Sequence, residues 1–546
     1  MVTTPAPTAR MDWRVHSLAL LLLALGAALR LPLNDALPSP AGDETNWLTL
    51  ADAAARGEVP KLSADAAFVP PTFAHLLALG VRLIGPTFGA TRTALALAFL
   101  AGVGVVYVLA RQVGFRRGAV LLVALLTLHP WPVAWTRVAA VPYALGLVVA
   151  LAGPLAWLAA LQIGPPWRRA AALVAAGQLL VLGLHFSPLG GLPLVACALW
   201  LLVPEHRRHL ATPGPWLALI GVLAHAWPLL VGALEVAQAT TGTAAEAPAQ
   251  DVASRAAHYL AVAADGLTGL GTLRHFALGP CAWPVDPTWA LRMVWLAALV
   301  WAATRGQHRP APWHFVVGLG VAVIGLPLLL LPTRTWWLPT IDAERYLFVA
   351  LAPAWLLVAR LAEAPGRQAW LAAGLVAVAA LPTAAGASAA LSSAGPDCGL
   401  LVADAGGGWR GFRSVRGPSG QIQAQSEAVW RAAAVASGGA AYTLVAHDQF
   451  GQQTLGWPPA RASDDRHRLV WATNGKWPDL SADRLVVVPL YAPSVFAPSL
   501  LPPEIVLAAG RLRSSVQERL HEPRRALVLT DPGGAPLWEI WTGRVR

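Results

Sequence analysis

The chain has 546 residues, of which 56% are hydrophobic and only 13% charged, with a formal net charge of +11. Soluble globular domains carry about a quarter charged residues, so this composition excludes an ordinary soluble protein and selects a membrane one. The basic residues form no compact block, and no phosphate-loop or dinucleotide fingerprint occurs, which argues against nucleic acid as a partner and against a soluble nucleotide cofactor.

The first apolar run, 15–33, follows Arg10 and Arg14 and lacks a small-x-small cleavage site, so it reads as an uncleaved anchor. The next stretch, 34–89, is long for a connector. Within it, Asp43 to Arg56 places Trp47, Leu48, Ala51 and Ala55 at helical spacing. A second short helix follows Pro70 and Pro71 in "VPPTFAHLLALGVRLIG"; it is too short to span comfortably and is expected along the outer membrane surface.

A membrane span needs roughly 20 apolar residues. By that measure about eleven spans are expected, near 15–33, 90–110, 119–136, 142–163, 170–186, 189–203, 215–234, 287–303, 313–332, 345–362 and 368–391. Alternate connections carry arginines (Arg111, Arg116 and Arg117; Arg168 and Arg169; Arg207 and Arg208; Arg305 and Arg309; Arg360 and Arg367), while the others carry acids such as Asp43, Glu44, Glu246, Asp265 and Asp342. The excess of positive charge on cytoplasmic loops then places the N-terminus inside and the acidic loops outside the cytoplasmic membrane. With an odd number of spans, the C-terminal tail also lies outside.

That tail, 394–546, is more charged and carries turn signals such as "DAGGGW" and "TDPGGAP". "AAYTLVAH", "RLVVVPLY", "RRALVLTD" and "LWEIWTG" read as strands and Ser426–Ala436 as a helix. The expected architecture is therefore a polytopic α-helical membrane domain, 1–393, followed by a small extracytoplasmic α/β domain.

The span centres are nearly free of charge, whereas transporters place ionisable groups near the midplane. Acids and several arginines gather at the outer ends instead, among them Arg82, Arg92, Arg137, Arg334 and Arg345. Arginine on that side runs against the general bias, and a lipid-linked phosphate would give it a partner. A single span, an Asp-Glu pair opening a helix, a Pro-Pro helix and then "GPTFGATRTALALAFLAGVGVVYVLARQVGFRRGAVLLVALL" form an order that resembles the GT-C class of membrane glycosyltransferases. The likeness is to the branch holding protein O-mannosyltransferases and lipid A aminoarabinose transferases. It is clearest over 15–190 and returns at "IDAERYLFVALAPAWLLVARLAEA". The tail resembles nothing recognisable.

The resemblance implies a sugar donor on a polyprenyl phosphate, inverting transfer in one displacement, and a catalytic acidic pair that falls on Asp43 and Glu44. Asp43 is the implied base, and Glu44 orients the acceptor or helps to hold a divalent cation, Mg²⁺ or Mn²⁺. The acceptor is a lipid, glycan or protein. Relatives have tyrosines after the pair, where this chain has Thr45, Asn46 and Trp47. Arg345 and Tyr346 are implied donor-phosphate contacts, with Arg92, Arg137 and His185 as further substrate-binding candidates.

Plainer roles stand beside these. Asp43 follows Ala41-Gly42 as a helix cap would, and Glu44 suits a first helical turn. Arg345 has Asp342 and Glu344 nearby, and a lone histidine such as His185 is often structural. Trp336 and Trp337 read as an aromatic belt. Cys281 and Cys398 fall on the oxidising side and could pair, whereas Cys197 lies within a span; no His/Cys cluster has metal-ligand spacing. Two other functions remain open from sequence: a transporter of lipid-linked or small solutes, and a non-catalytic assembly protein of an envelope polysaccharide pathway.

Overall fold

Apolar length decides where helices form, because backbone groups in hydrocarbon must be satisfied within their own segment. The computed structural model describes residues 13–32, 42–58, 72–139, 142–241, 266–269, 288–304, 312–330, 348–364, 366, 368–378, 380, 400–403, 409–412, 429–430, 432–447, 463–464, 467–472, 475–480, 482–491, 503–530 and 536–546. Its helices in the membrane part begin with α1 (Trp13–Arg30), α2 (Gly42–Ala55), α3 (Thr72–Ile84), α4 (Phe88–Val113), α5 (Arg117–Leu128) and α6 (Pro130–Arg137). They continue with α7 (Tyr143–Leu161), α8 (Pro166–Leu182), α9 (Leu192–Trp200), α10 (Pro204–Arg207) and α11 (Pro213–Thr241). After these come α12 (Thr288–Thr304), α13 (Pro312–Leu330), α14 (Phe348–Leu361) and α15 (Gln368–Val378).

Among the described residues, α1, α4, α7 and α8 with its 3-10 extension are each long and apolar enough to cross a membrane, and two bent helix pairs also pass when each is taken as one span. The chain is a multi-pass membrane protein. Two expected spans are not straight. The interval 119–136 is α5 and α6, bent by 49°, because Pro130 and Pro132 remove backbone donors there. The interval 189–203 is a short 3-10 turn and α9, after which the chain bends by 83° into α10. Of the interval 368–391, α15 and residue 380 are described, and residues 381–391 lie outside the described part.

The two helices of the first loop occur where expected. On α3, Phe73, Ala74, Leu77 and Val81 are buried, while Leu79, Leu83 and Ile84 are exposed. Trp47 of α2 meets Phe73 edge-on, with ring centroids 4.8 Å apart. A Cβ at Gly80 would lie 2.1 Å from the Ala90 carbonyl oxygen, so α3 can approach α4 this closely only with glycine. Helix α4 is fixed at both ends. The Thr87 hydroxyl accepts the Ala90 N–H, and Gly114 closes the helix in the left-handed conformation.

The tail holds strands β1 (Leu400–Ala403), β2 (Trp409–Phe412), β3 (Tyr442–His447), β4 (Ser463–Asp464), β5 (His467–Ala472), β6 (Leu485–Tyr491), β7 (Leu520–Thr530) and β8 (Pro536–Val545), with helix α16 (Pro503–Arg519). β1 and β2 pair antiparallel; the other six form a mixed sheet in the order β4-β5-β3-β6-β8-β7. β3 runs parallel to both β5 and β6. One face packs on the helical residues around Val429 and Ala433, the other on Leu512 and Val516 of α16. Burial on both faces explains why "LVVVPLY" has no polar alternation. The edge strand β7 carries Arg524 and Arg525 and register shifts, which discourage pairing with another edge. All four expected strands are present; β1, β2, β4, β5 and α16 were not anticipated.

Candidate active site at the broken helix

The break between α5 and α6 organises one end of the bundle. The Leu126 carbonyl would bond the N–H of residue 130, but that residue is proline. The Thr127 carbonyl would bond Trp131, whose N–H goes instead to Nδ1 of His129, the α6 cap, at 3.2 Å. Arg30, the last residue of α1, satisfies both. Its Nη2 donates to the Leu126 oxygen at 2.8 Å and its Nη1 to the Thr127 oxygen at 2.9 Å. Its Nε donates to the Thr136 hydroxyl at 2.8 Å, and the group lies 5.0 Å from the centre of the Phe99 ring.

Because α6 is short, it ends at Arg137 and the chain continues extended through Val138. The Ala139 N–H, freed from helical bonding, donates to Glu44 Oε1 at 2.6 Å. The Arg92 guanidinium grips the same carboxylate, Nε to Oε1 at 2.8 Å and Nη2 to Oε2 at 2.6 Å, with both side chains fully buried. Arg137 donates through Nη1 to the Leu29 oxygen at 2.7 Å and through Nη2 to the Pro32 oxygen at 2.9 Å. Arg92 thus meets the start of α2 at Glu44, while Arg137 lies near Arg92 and Arg30 near Arg137.

Of the residues singled out from sequence, the structure brings together Glu44, Arg92 and Arg137. Asp43 is the second residue of α2, directly before the clasped Glu44; its backbone is described and its side chain is not. Glu44 has its two oxygens engaged by Arg92 and Ala139. This engagement anchors the first turn of α2. Arg92 likewise directs its fork to Glu44. Arg345, Tyr346, Trp336, Trp337, Cys281 and Cys398 lie outside the described residues. Cys197 is a buried free thiol, and among the described residues no group of three His, Cys, Asp or Glu side chains can hold a metal.

His185 is not a lone histidine. The Thr72 hydroxyl contacts its Nδ1, its Nε2 contacts His225 Nε2, and His225 Nδ1 contacts Gln178 Oε1, each at 2.8 Å. This chain of side-chain contacts ties the entry of α3 to α8 and α11. Sequence reasoning missed Arg30, His225 and Gln178. The available signal for Arg30 was an arginine closing a span otherwise free of charge.

A two-residue acidic start to α2, clasped by buried arginine from α4 and backbone from a broken span, sits here on a multi-span scaffold. That scaffold has the fold of the GT-C class of membrane glycosyltransferases. Residues 69–231 match the family of dolichyl-phosphate-mannose-protein mannosyltransferases. The crystal structure of ArnT from Cupriavidus metallidurans in the apo state is similar over 97% of this chain and 98% of that one, at 15% identity and a TM-score of 0.56. ArnT from the same organism bound to undecaprenyl phosphate matches over 71% and 67% at 16% identity and a TM-score of 0.47. The Archaeoglobus fulgidus oligosaccharyltransferase tethered with an acceptor peptide matches over 97% and 74% at 12% identity and a TM-score of 0.49. No curated protein sequence matches the chain.

Proposed function

We propose that this protein transfers a sugar from a polyprenyl-phosphate donor to an acceptor at the outer face of the cytoplasmic membrane, by a single inverting displacement. The observation that carries the reading is the buried clasp on Glu44, which fixes the first turn of α2 and with it the position of Asp43. The Asp43 carboxylate takes the proton of the acceptor hydroxyl as its oxygen attacks the anomeric carbon, and the lipid phosphate leaves with the bonding electrons. Nearby arginines offset the charge that grows on the leaving phosphate. Arg345, with Tyr346, is the donor-phosphate contact in this scheme. The family matched by residues 69–231 and the lipid bound by the similar Cupriavidus protein support a polyprenyl-type donor.

The spans then number eleven, with the tail outside the cytoplasm. Asp43→Asn tests the chemistry, because asparagine caps a helix about as well as aspartate. Expression and membrane insertion should be normal, while transfer from polyprenyl-phosphate sugar falls by about a hundredfold or more. Near-normal transfer at equal protein level would remove Asp43 as the base.

A further inference from the structure

The opposite end of the bundle, which the arginine pattern assigns to the cytoplasm, carries a second cluster. Helices α8 and α11 run parallel with their first residues side by side: a Cβ at Gly214 would lie 3.2 Å from the Ala170 Cα, and one at Gly177 would lie 3.2 Å from a Val222 methyl. Across this end runs the 204–211 turn, bent by 83° from α9. Arg169 joins the two connections. It donates to the carbonyls of Ile163 and Gly164 and reaches His209 Nδ1 at 3.3 Å. That leaves Arg168, Arg207 and Arg208 exposed on one surface, with Glu205 as the nearby acid.

Below this basic surface the protein is apolar and open. Trp216, Ile220, Leu223 and Trp227 follow one another at helical spacing along α11 and are exposed by 53%, 63%, 57% and 67%. Such a stripe on a membrane helix meets acyl chains, not water. Trp167 (69% exposed) and Trp216 stand where the stripe meets the arginines, the depth favoured by tryptophan in a bilayer. Three cations above an apolar stripe match one kind of molecule: a phosphate with two chains hanging from it.

We infer that the 166–169 and 204–209 connections with the exposed face of α11 form a binding site for an anionic phospholipid of the cytoplasmic leaflet. The headgroup phosphate lies among Arg168, Arg207 and Arg208, and the chains lie on the α11 stripe. A free anion would use the arginines and ignore the stripe; a zwitterionic lipid would use the stripe and gain little from the arginines.

The test is native mass spectrometry of the full chain in mild detergent, titrated with palmitoyl-oleoyl phosphatidylglycerol and with the phosphatidylcholine of the same chains. The wild-type protein should bind phosphatidylglycerol about tenfold or more tightly, and Arg168→Gln/Arg207→Gln/Arg208→Gln should erase the preference. Arg208→Glu alone should reduce it, which keeps the test available if the triple variant fails to fold. A preference unchanged in these variants would overturn the site. So would an equal loss in Arg111→Gln, which lies on another connection, or displacement of the lipid by millimolar inorganic phosphate.

Discussion

The clasp on Glu44 can be measured apart from any chemistry. In Arg92→Met, a carboxylate with no exposure loses its bidentate guanidinium partner while the Ala139 N–H stays, and breaking a buried pair in this way costs about 3–5 kcal/mol. Glu44→Gln removes the charge that the buried guanidinium grips and costs a similar amount. The double variant removes both charges, and replacing a whole buried pair is often close to neutral. Its loss should therefore fall short of the sum of the single losses by about 3 kcal/mol or more. The assay is equilibrium unfolding in mixed micelles followed by tryptophan fluorescence, with the four proteins forming one cycle. Losses that add to within about 0.5 kcal/mol would mean that Glu44 and Arg92 do not interact, and the assignment of Glu44 as the anchor of α2 would fall with them.

Three further outcomes follow from features away from that pair. Arg30→Leu strands the Leu126 and Thr127 carbonyls at the helix break, at about 1–3 kcal/mol each, so thermal stability in detergent should drop clearly; an unchanged melting point would refute the role. Glu363 Oε1 accepts the N–H groups of Arg116 at 2.7 Å and Gly118 at 2.6 Å, so Glu363→Ala should cost about 1 kcal/mol as a lost helix cap, read by the same melt. In the tail, burial pushes the Glu539 carboxyl up, but hydrogen bonds from Arg513, Trp541 and Arg525 outweigh it and hold the group below its ordinary 4.5. A depressed acid stabilises the fold above its unfolded value and loses that contribution as pH falls through the folded one. Glu539→Gln should therefore lower stability near neutral pH and flatten the acid-side decline below pH 4.5 in unfolding titrations.

The helices were legible because hydrocarbon thickness demands apolar length, and the first loop because Trp47, Leu48 and Ala51 keep helical spacing. Hydropathy averaged over 119–136 hides the break, since two prolines barely alter a window full of leucine and valine. Their missing donors, rather than their polarity, bend the chain. Strand β6 announces itself through three consecutive valines and β3 through a short, mainly apolar run, whereas α16 mixes arginine and serine with its few core residues and gives a weak period. In the site, the residue types were readable, but partnership was not. Glu44 and Arg92 are 48 residues apart and Glu44 and Ala139 are 95 apart, and nothing local in the sequence encodes such a meeting.

Those separations also set an order of assembly. The first loop leaves the ribosome before either of the elements that grip it. Until those elements are in place, Glu44 has neither the Arg92 fork nor the Ala139 N–H to meet. A nascent chain stopped before residue 139 therefore carries the acidic pair on a helix with an incomplete anchor, and the bend at Pro130 must form before the third bond to Glu44 can close. The geometry that holds Asp43 is thus a late event in biogenesis, completed by the chain's fold-back through α6 and unavailable to a partly inserted molecule. A fully clasped α2, in this arrangement, reports that the first quarter of the chain has been threaded and docked.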